Sequence, residues 1–104
     1  QFTKIGKGAM IGGMTGVDKD VLPYTLIKGN RSFFENINLI GLKRKGFKNS
    51  EIENYKKIVN GLFNTDNMKE YISQLDQESQ LIKTLISFIE NKNPNRDICR
   101  PLKW

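Results

Sequence analysis

The sequence predicts an α+β chain: the end of a β-solenoid built from hexapeptide repeats, followed by a compact α-helical bundle. Three observations carry this expectation. Branched apolar residues recur every sixth position near the start, at Ile5, Ile11 and Val17, with Gly6 and Gly12 directly behind the first two. From Ser32 onward the apolar interval changes to between three and four. The first beat is that of a solenoid, in which each hexad supplies one short strand; the second is that of a helix face. Finally, the 104 residues hold only a few hexads, fewer than such a fold needs to bury its apolar face. The missing windings are therefore expected upstream of Gln1, with the bundle closing off the last one. A start that lacks an initiator Met fits a chain cut from something longer.

Two parts are expected, residues 1–29 and residues 30–104. The first is rich in glycine and β-branched residues and reads as short strands with turns. Val21 and Ile27 are again six apart, as if the register shifts at the Gly16-Val17-Asp18 turn. Leu22-Pro23-Tyr24 then interrupts any helix. Asp18 and Asp20, on either side of Lys19, read as a solvated turn.

The second part reads as four helices. Phe33, Ile37 and Ile40 fall at i, i+4 and i+7, and Gly46 offers a left-handed end to that first helix. Ser50-Glu51-Ile52-Glu53 matches a capping box, ahead of an apolar stripe of Ile52, Tyr55, Ile58, Val59, Leu62 and Phe63. Thr65-Asp66 can cap a third helix with Met68, Tyr71, Ile72 and Leu75. The fourth carries Leu81, Ile82, Leu85, Ile86, Phe88 and Ile89 until Asn93-Pro94-Asn95 stops it and leaves a short tail.

Chemistry is bounded mainly by what is missing. With no histidine and a single cysteine, Cys99, the chain cannot build Ser-His-Asp or Cys-His machinery, a histidine base or a zinc cage. No catalytic constellation, metal site or cofactor is expected within it. Gly6-Lys7-Gly8 is followed by Gly12, which misses the dinucleotide-binding fingerprint. The lone cysteine favours a reducing compartment, and no run approaches the ~18 apolar residues of a membrane span.

The net charge of +6 is concentrated, because Lys43, Arg44, Lys45 and Lys48 sit together. Such a patch suits an acidic protein, a phosphorylated small molecule or a nucleic acid, or it is simply a solvated face. On a helix, Asn38, Gly41 and Lys45 share one side, a polar strip with a gap at the glycine. Glycine inside a helix costs about 1 kcal/mol against alanine, which points to close approach of a backbone or ligand. Arg44 falls on the Ile37–Ile40 stripe, where an arginine either snorkels outward or meets an anion.

Taken in order, Ile11-Gly12-Gly13-Met14-Thr15-Gly16-Val17, Asp20-Val21-Leu22-Pro23-Tyr24, Lys28-Gly29-Asn30 and the run Asn38 to Phe47 resemble one family closely. It is the acyl-carrier-protein–UDP-N-acetylglucosamine O-acyltransferases, which start lipid A synthesis, in their C-terminal part. The resemblance implies a cytoplasmic homotrimer of left-handed parallel β-helices, each capped by a C-terminal helical bundle, with active sites between subunits. It implies transfer of a 3-hydroxyacyl group from acyl carrier protein to the glucosamine 3-hydroxyl of the sugar nucleotide. The family's histidine base lies upstream of this segment, so the chain alone is expected to be inactive.

Position by position, the resemblance assigns Gly13 to limiting acyl-chain length, with a glycine there favouring a longer chain. It assigns Asn38, Arg44 and Lys45 to the sugar nucleotide, and the basic cluster, Lys43 and Lys48 included, suits docking of the acidic carrier protein. Arg31 is carried as a further substrate-binding position, although one branch of the family has histidine there. Ile40 stands where that branch has glutamate; a carboxylate could accept hydrogen bonds from uridine or ribose, and isoleucine cannot. Two alternatives remain at this level. One is another hexapeptide acyltransferase of a related nucleotide sugar. The other is a non-catalytic basic module for an acidic protein or nucleic acid, although the second helix leaves few side chains free to read bases.

Overall fold

A computed structural model describes residues 3–13, 15–29, 32–77 and 79–102. The two six-residue series lie one on the other. Ile5 bridges Val21 in parallel, and strand β1 (Met10–Ile11) pairs in parallel with β2 (Thr25–Lys28), Met10 opposite Leu26 and Ile11 opposite Ile27. Each pair joins residues 16 apart, the same offset as the bond from the Lys4 N–H to Asp20 Oδ1. The register shift expected near Gly16 is what makes the two series coincide. Stacked in this way, Val21 and Ile27 bury with Cys99 into a small core, and Ala9, Ile11, Val17 and Phe34 pack against it.

The helix expected from Ser32 is not there. Phe33–Ile37 is a strand, β3, antiparallel to β2, so the sheet runs β1-β2-β3. A four-residue gap fits a strand face as well as a helix face, since residues i and i+4 share a side in both periods. The turn decides between them: Gly29 at φ 88° accepts the Ser32 N–H at 3.1 Å, which returns the chain along β2. Thr25 then faces Ile37 and Lys28 faces Phe33. Helix α1 (Leu39–Arg44) starts only beyond this strand, so Ile40 is 68% exposed and belongs to no buried stripe.

The remaining helices fall where the apolar stripes place them, the first two of them with caps other than those expected. Helix α2 (Asn49–Leu62) is capped at Lys48, whose N–H donates to Glu51 Oε1 at 3.0 Å, so the box at Ser50–Glu53 is not used. Helix α3 (Met68–Ser73) is capped by Asn67, which accepts the Glu70 N–H at 3.1 Å; Thr65 only supports Asn67. Helix α4 (Gln80–Asn91) is capped by Ser79 and buries all six of its predicted apolar residues. These bury together with Ile52, Tyr55, Val59, Leu62 and Ile72, and with Leu22, Tyr24 and Ile37 from the sheet side. One core therefore crosses the boundary expected at residue 29.

A glycine unremarked in the sequence sets the α2–α3 contact. The Tyr71 hydroxyl donates to the Ile58 carbonyl at 3.0 Å across Gly61, where any Cβ would meet that ring. Gly61→Ala is expected to cost about 1–3 kcal/mol by overpacking, read as a lower denaturant midpoint. An unchanged midpoint would show that Tyr71 swings aside freely.

The tail is not free. After α4 the chain returns to the sheet: Asp20 bridges Ile98 in parallel and Phe34 bridges Pro101. The Asp20 N–H donates to the Asp97 carbonyl at 2.9 Å and the Cys99 N–H to the Asp20 carbonyl at 2.8 Å. The tail thus pairs along the edge of Asp20–Val21 opposite to Ile5. Arg100 secures it, donating to the Phe63 carbonyl at 3.1 Å and pairing with Asp97 at 3.1 Å.

Asp20 is not solvated either. It is 1% exposed and pairs at 3.2 Å with Lys92, also buried, whose ammonium donates to the Asn93 and Arg96 carbonyls. Burial likewise pushes the Cys99 thiol up from its ordinary pKa. Since the thiolate is the reactive form, Cys99 is expected to resist alkylation at neutral pH until the protein unfolds. Labelling of the native protein as fast as of the urea-unfolded one would contradict this burial.

Candidate functional site

Helix α1 borders a cationic depression whose charges are unspent among the described residues. Gly8, Tyr24, Asn38, Gly41, Arg44 and Lys45 line it, around a volume of about 340 Å³. Arg44 and Lys45 are exposed, and neither pairs with a carboxylate among the described residues; the same holds for Lys43 and Lys48 nearby. Hollows of about 470 and 510 Å³ lie beside the tail, but their Arg100 is already engaged by Asp97 and by the Phe63 carbonyl. The geometry therefore favours the α1 depression as an anion site.

The floor of the depression is built by turns. Tyr24 sits at φ 53° with its N–H donating to the Lys7 carbonyl at 2.9 Å, and its ring lies over Gly8, itself at φ 72°. Only a glycine leaves room there, since any Cβ at position 8 would overlap the Tyr24 ring. Burial raises the Tyr24 phenol above its ordinary pKa, so the hydroxyl keeps its proton at neutral pH. Asn38 is 6% exposed and caps α1: Oδ1 accepts the Gly41 N–H at 3.1 Å, and Nδ2 donates to the Gly8 carbonyl at 2.9 Å. At the far end of α1, Gly46 takes φ 91°, as its position predicts. The Gly46 and Phe47 N–H groups close onto the Lys43 and Leu42 carbonyls.

The predicted residues separate into three groups. Asn38, Gly41 and Lys45 come together as the spacing suggests, and Arg44, which the spacing put on another face, joins them. Within the chain, what approaches Gly41 is Asn38's own amide, which a Cβ at 41 would meet at 2.5 Å. Lys43 and Lys48 are exposed but do not line the depression. Gly13 is exposed in the turn after β1, with open space where a Cβ would stand, and is not part of the lining. Arg31 lies outside the described residues. Gly8 and Tyr24 escaped sequence reasoning. Their signal was the 16-residue offset of the stacked windings, which places position 24 against position 8.

The arrangement can bind an extended anion. Among the described residues it holds no base–nucleophile pair, and no group of acidic or cysteine side chains could hold a metal ion. Among the described residues no helix is long and apolar enough to cross a membrane.

Comparison with known proteins bears on the same segment. A family model described as Udp N-acetylglucosamine O-acyltransferase, Domain 2, matches residues 20–99. The chain is 36% identical over 91 residues to the acyl-[acyl-carrier-protein]–UDP-N-acetylglucosamine O-acyltransferase of Campylobacter jejuni subsp. doylei, covering 86% of this chain and 34% of that protein. It is 38% identical over 96 residues to the enzyme of the same name from Nautilia profundicola, covering 88% and 36%. Among solved structures, the UDP-N-acetylglucosamine acyltransferase from Campylobacter jejuni superposes with a TM-score of 0.79 at 32% identity, over 100% of this chain and 40% of that one. The Francisella novicida enzyme gives 0.81 at 29% identity, over 96% and 38%. The chain thus spans about a third of the length of the curated relatives it matches.

Proposed function

The chain belongs to the UDP-N-acetylglucosamine O-acyltransferase family, and we propose that it is the C-terminal portion of an enzyme that moves a 3-hydroxyacyl group from acyl carrier protein to the 3-hydroxyl of UDP-N-acetylglucosamine. In this reading residues 1–29 are the last windings of a left-handed parallel β-helix and residues 30–104 are the domain that caps them. The parallel stacking at a 16-residue offset supports the first assignment, and the tail paired along Asp20 supports the second. The complete protein is a homotrimer with its histidine base on an upstream winding, and this chain alone is inactive. It works in the cytoplasm without entering a membrane, which suits its single reduced cysteine.

The observation that supports the reading is the cationic depression, whose lining apart from Gly8 lies inside the segment that matches the family. Arg44 takes the diphosphate through its rigid fork, with Lys45 as a second positive charge and Asn38 as a polar contact at the floor. Arg31 is a further substrate contact. Lys43 and Lys48 face the acidic carrier protein; neither has a carboxylate partner among the described residues, so their charge suits it. Gly13 limits the acyl chain.

Replacing Arg44 with alanine in the complete protein tests the site. A lost charge-assisted hydrogen bond is worth about 1.5–3 kcal/mol, so the KM for UDP-N-acetylglucosamine should rise roughly 10- to 100-fold with the fold intact. Unchanged kinetics would remove Arg44 from the site. Gly13→Met should shorten the preferred acyl chain without unfolding the protein, because the added side chain starts in open space. An unaltered preference among acyl carrier proteins of different chain length would remove Gly13 from the acyl site.

A further inference from the structure

We propose that Gly41 and Phe47 are positioning residues of this site: together they hold the two ends of α1 against Tyr24 and so set where Arg44 and Lys45 stand. The inference rests on the sugar-nucleotide reading above. Helix α1 has six residues, far short of the length at which a helix is stable by itself, so its place is decided by what ties its ends.

Both ends are tied to the same residue. At the start, the Asn38 N–H donates to the Tyr24 carbonyl at 2.7 Å while the Asn38 amide spans from the Gly41 N–H to the Gly8 carbonyl. At the finish, the Phe47 ring meets the Tyr24 ring edge-on, with centroids 5.9 Å apart at 82°. Tyr24 is itself held, by the Lys7 carbonyl at its N–H and by the Tyr55 hydroxyl donating to the neighbouring Pro23 carbonyl. The cationic arm is therefore clamped at both ends onto one buried tyrosine.

Gly41 is what lets the first tie close. A Cβ there would stand 2.5 Å from Asn38 Nδ2 and 2.9 Å from Asn38 Cγ. The amide cannot retreat without giving up the Gly8 carbonyl, so an alanine must either break that bond or tilt α1. Arg44 is three residues further along the same short helix and moves with it. Alanine also gains about 1 kcal/mol of helix propensity, which offsets part of the clash and keeps the variant folded. Phe47→Leu removes the ring contact at the other end with little change in volume, a kind of swap that usually costs under about 1.5 kcal/mol.

The test is a set of kinetic double-mutant cycles on the complete protein with UDP-N-acetylglucosamine and acyl carrier protein. Gly41→Ala and Phe47→Leu should each raise the KM for the sugar nucleotide, about tenfold for Gly41→Ala, with kcat nearly unchanged. In an Arg44→Ala, Lys45→Ala background neither should add a further loss, because the arm they aim is already gone. A methyl at position 41 that merely filled the depression would still cost binding without Arg44 and Lys45, and so would general loosening. Additive losses, or an unchanged KM in both single variants, overturn the inference. If Arg44→Ala alone leaves the KM unchanged, the reading of the site fails first and takes the clamp with it. Should Gly41→Ala not fold, the Phe47→Leu cycle decides by the same criterion.

Discussion

Lys92→Met is expected to destabilise the protein by about 3–5 kcal/mol, the usual cost of removing one partner from a buried ion pair. The Asp20 carboxylate would stay buried with its Lys4 N–H bond and no cation, and the Asn93 and Arg96 carbonyls would lose a donor. Chemical denaturation of the complete protein reads the loss directly. Pairing Lys92→Met with Asp20→Asn should recover a large part of it, because the uncompensated charge is then gone. A loss below about 1 kcal/mol in the single variant would mean that water reaches the pair. The pair matters because Asp20 lies between the first winding and the returning tail, with backbone bonds to residue 97 and from residue 99. Lys92, at the end of α4, therefore joins the helices to the sheet.

Gly8→Ala is the second large effect, expected at about 2–5 kcal/mol. An alanine at φ 72° carries the left-handed penalty of about 1–2 kcal/mol, and its Cβ would overlap the Tyr24 ring, which adds about 1–3 kcal/mol of overpacking. Unlike Lys92→Met, this change also strikes the depression, since Gly8 and Tyr24 are two of its walls and the Gly8 carbonyl anchors Asn38. Unfolding midpoints and the KM for UDP-N-acetylglucosamine should thus both worsen. A stable Gly8→Ala protein with normal kinetics would show that Tyr24 has room to withdraw, and the account of the floor would be wrong.

The two variants also mark what could be read in advance. Asp20 sits between Lys19 and the apolar Val21, and nothing in its neighbourhood in sequence points to a lysine 72 residues away. Its burial follows from the tail's return, a long-range pairing with no local signature. Gly8 is visible as a glycine, but its spacing misses the dinucleotide-binding fingerprint and carries no other local signal. The four apolar helix stripes, by contrast, carry their own period. Three of them emerged where expected, while the caps moved by one or two residues because neighbouring side chains compete for the same free N–H groups. The stripe at Phe33 to Ile40 failed since its four-residue step suits a strand equally well.

By itself, the sequence determined the two hydrophobic beats, the Gly46 helix end and the grouping of Asn38, Gly41, Arg44 and Lys45 on one short segment. All of these depend on interactions between residues a few positions apart, and such interactions leave a period in the chain. Only the tertiary structure decided that residues 33–37 pair with β2, that the tail closes along Asp20, that Lys92 is buried, and that Tyr24 stands under the cationic arm. Those depend on which distant segments share a surface, and the free energy that settles it comes from burying them together. A short helix such as α1 has no position of its own until that surface exists.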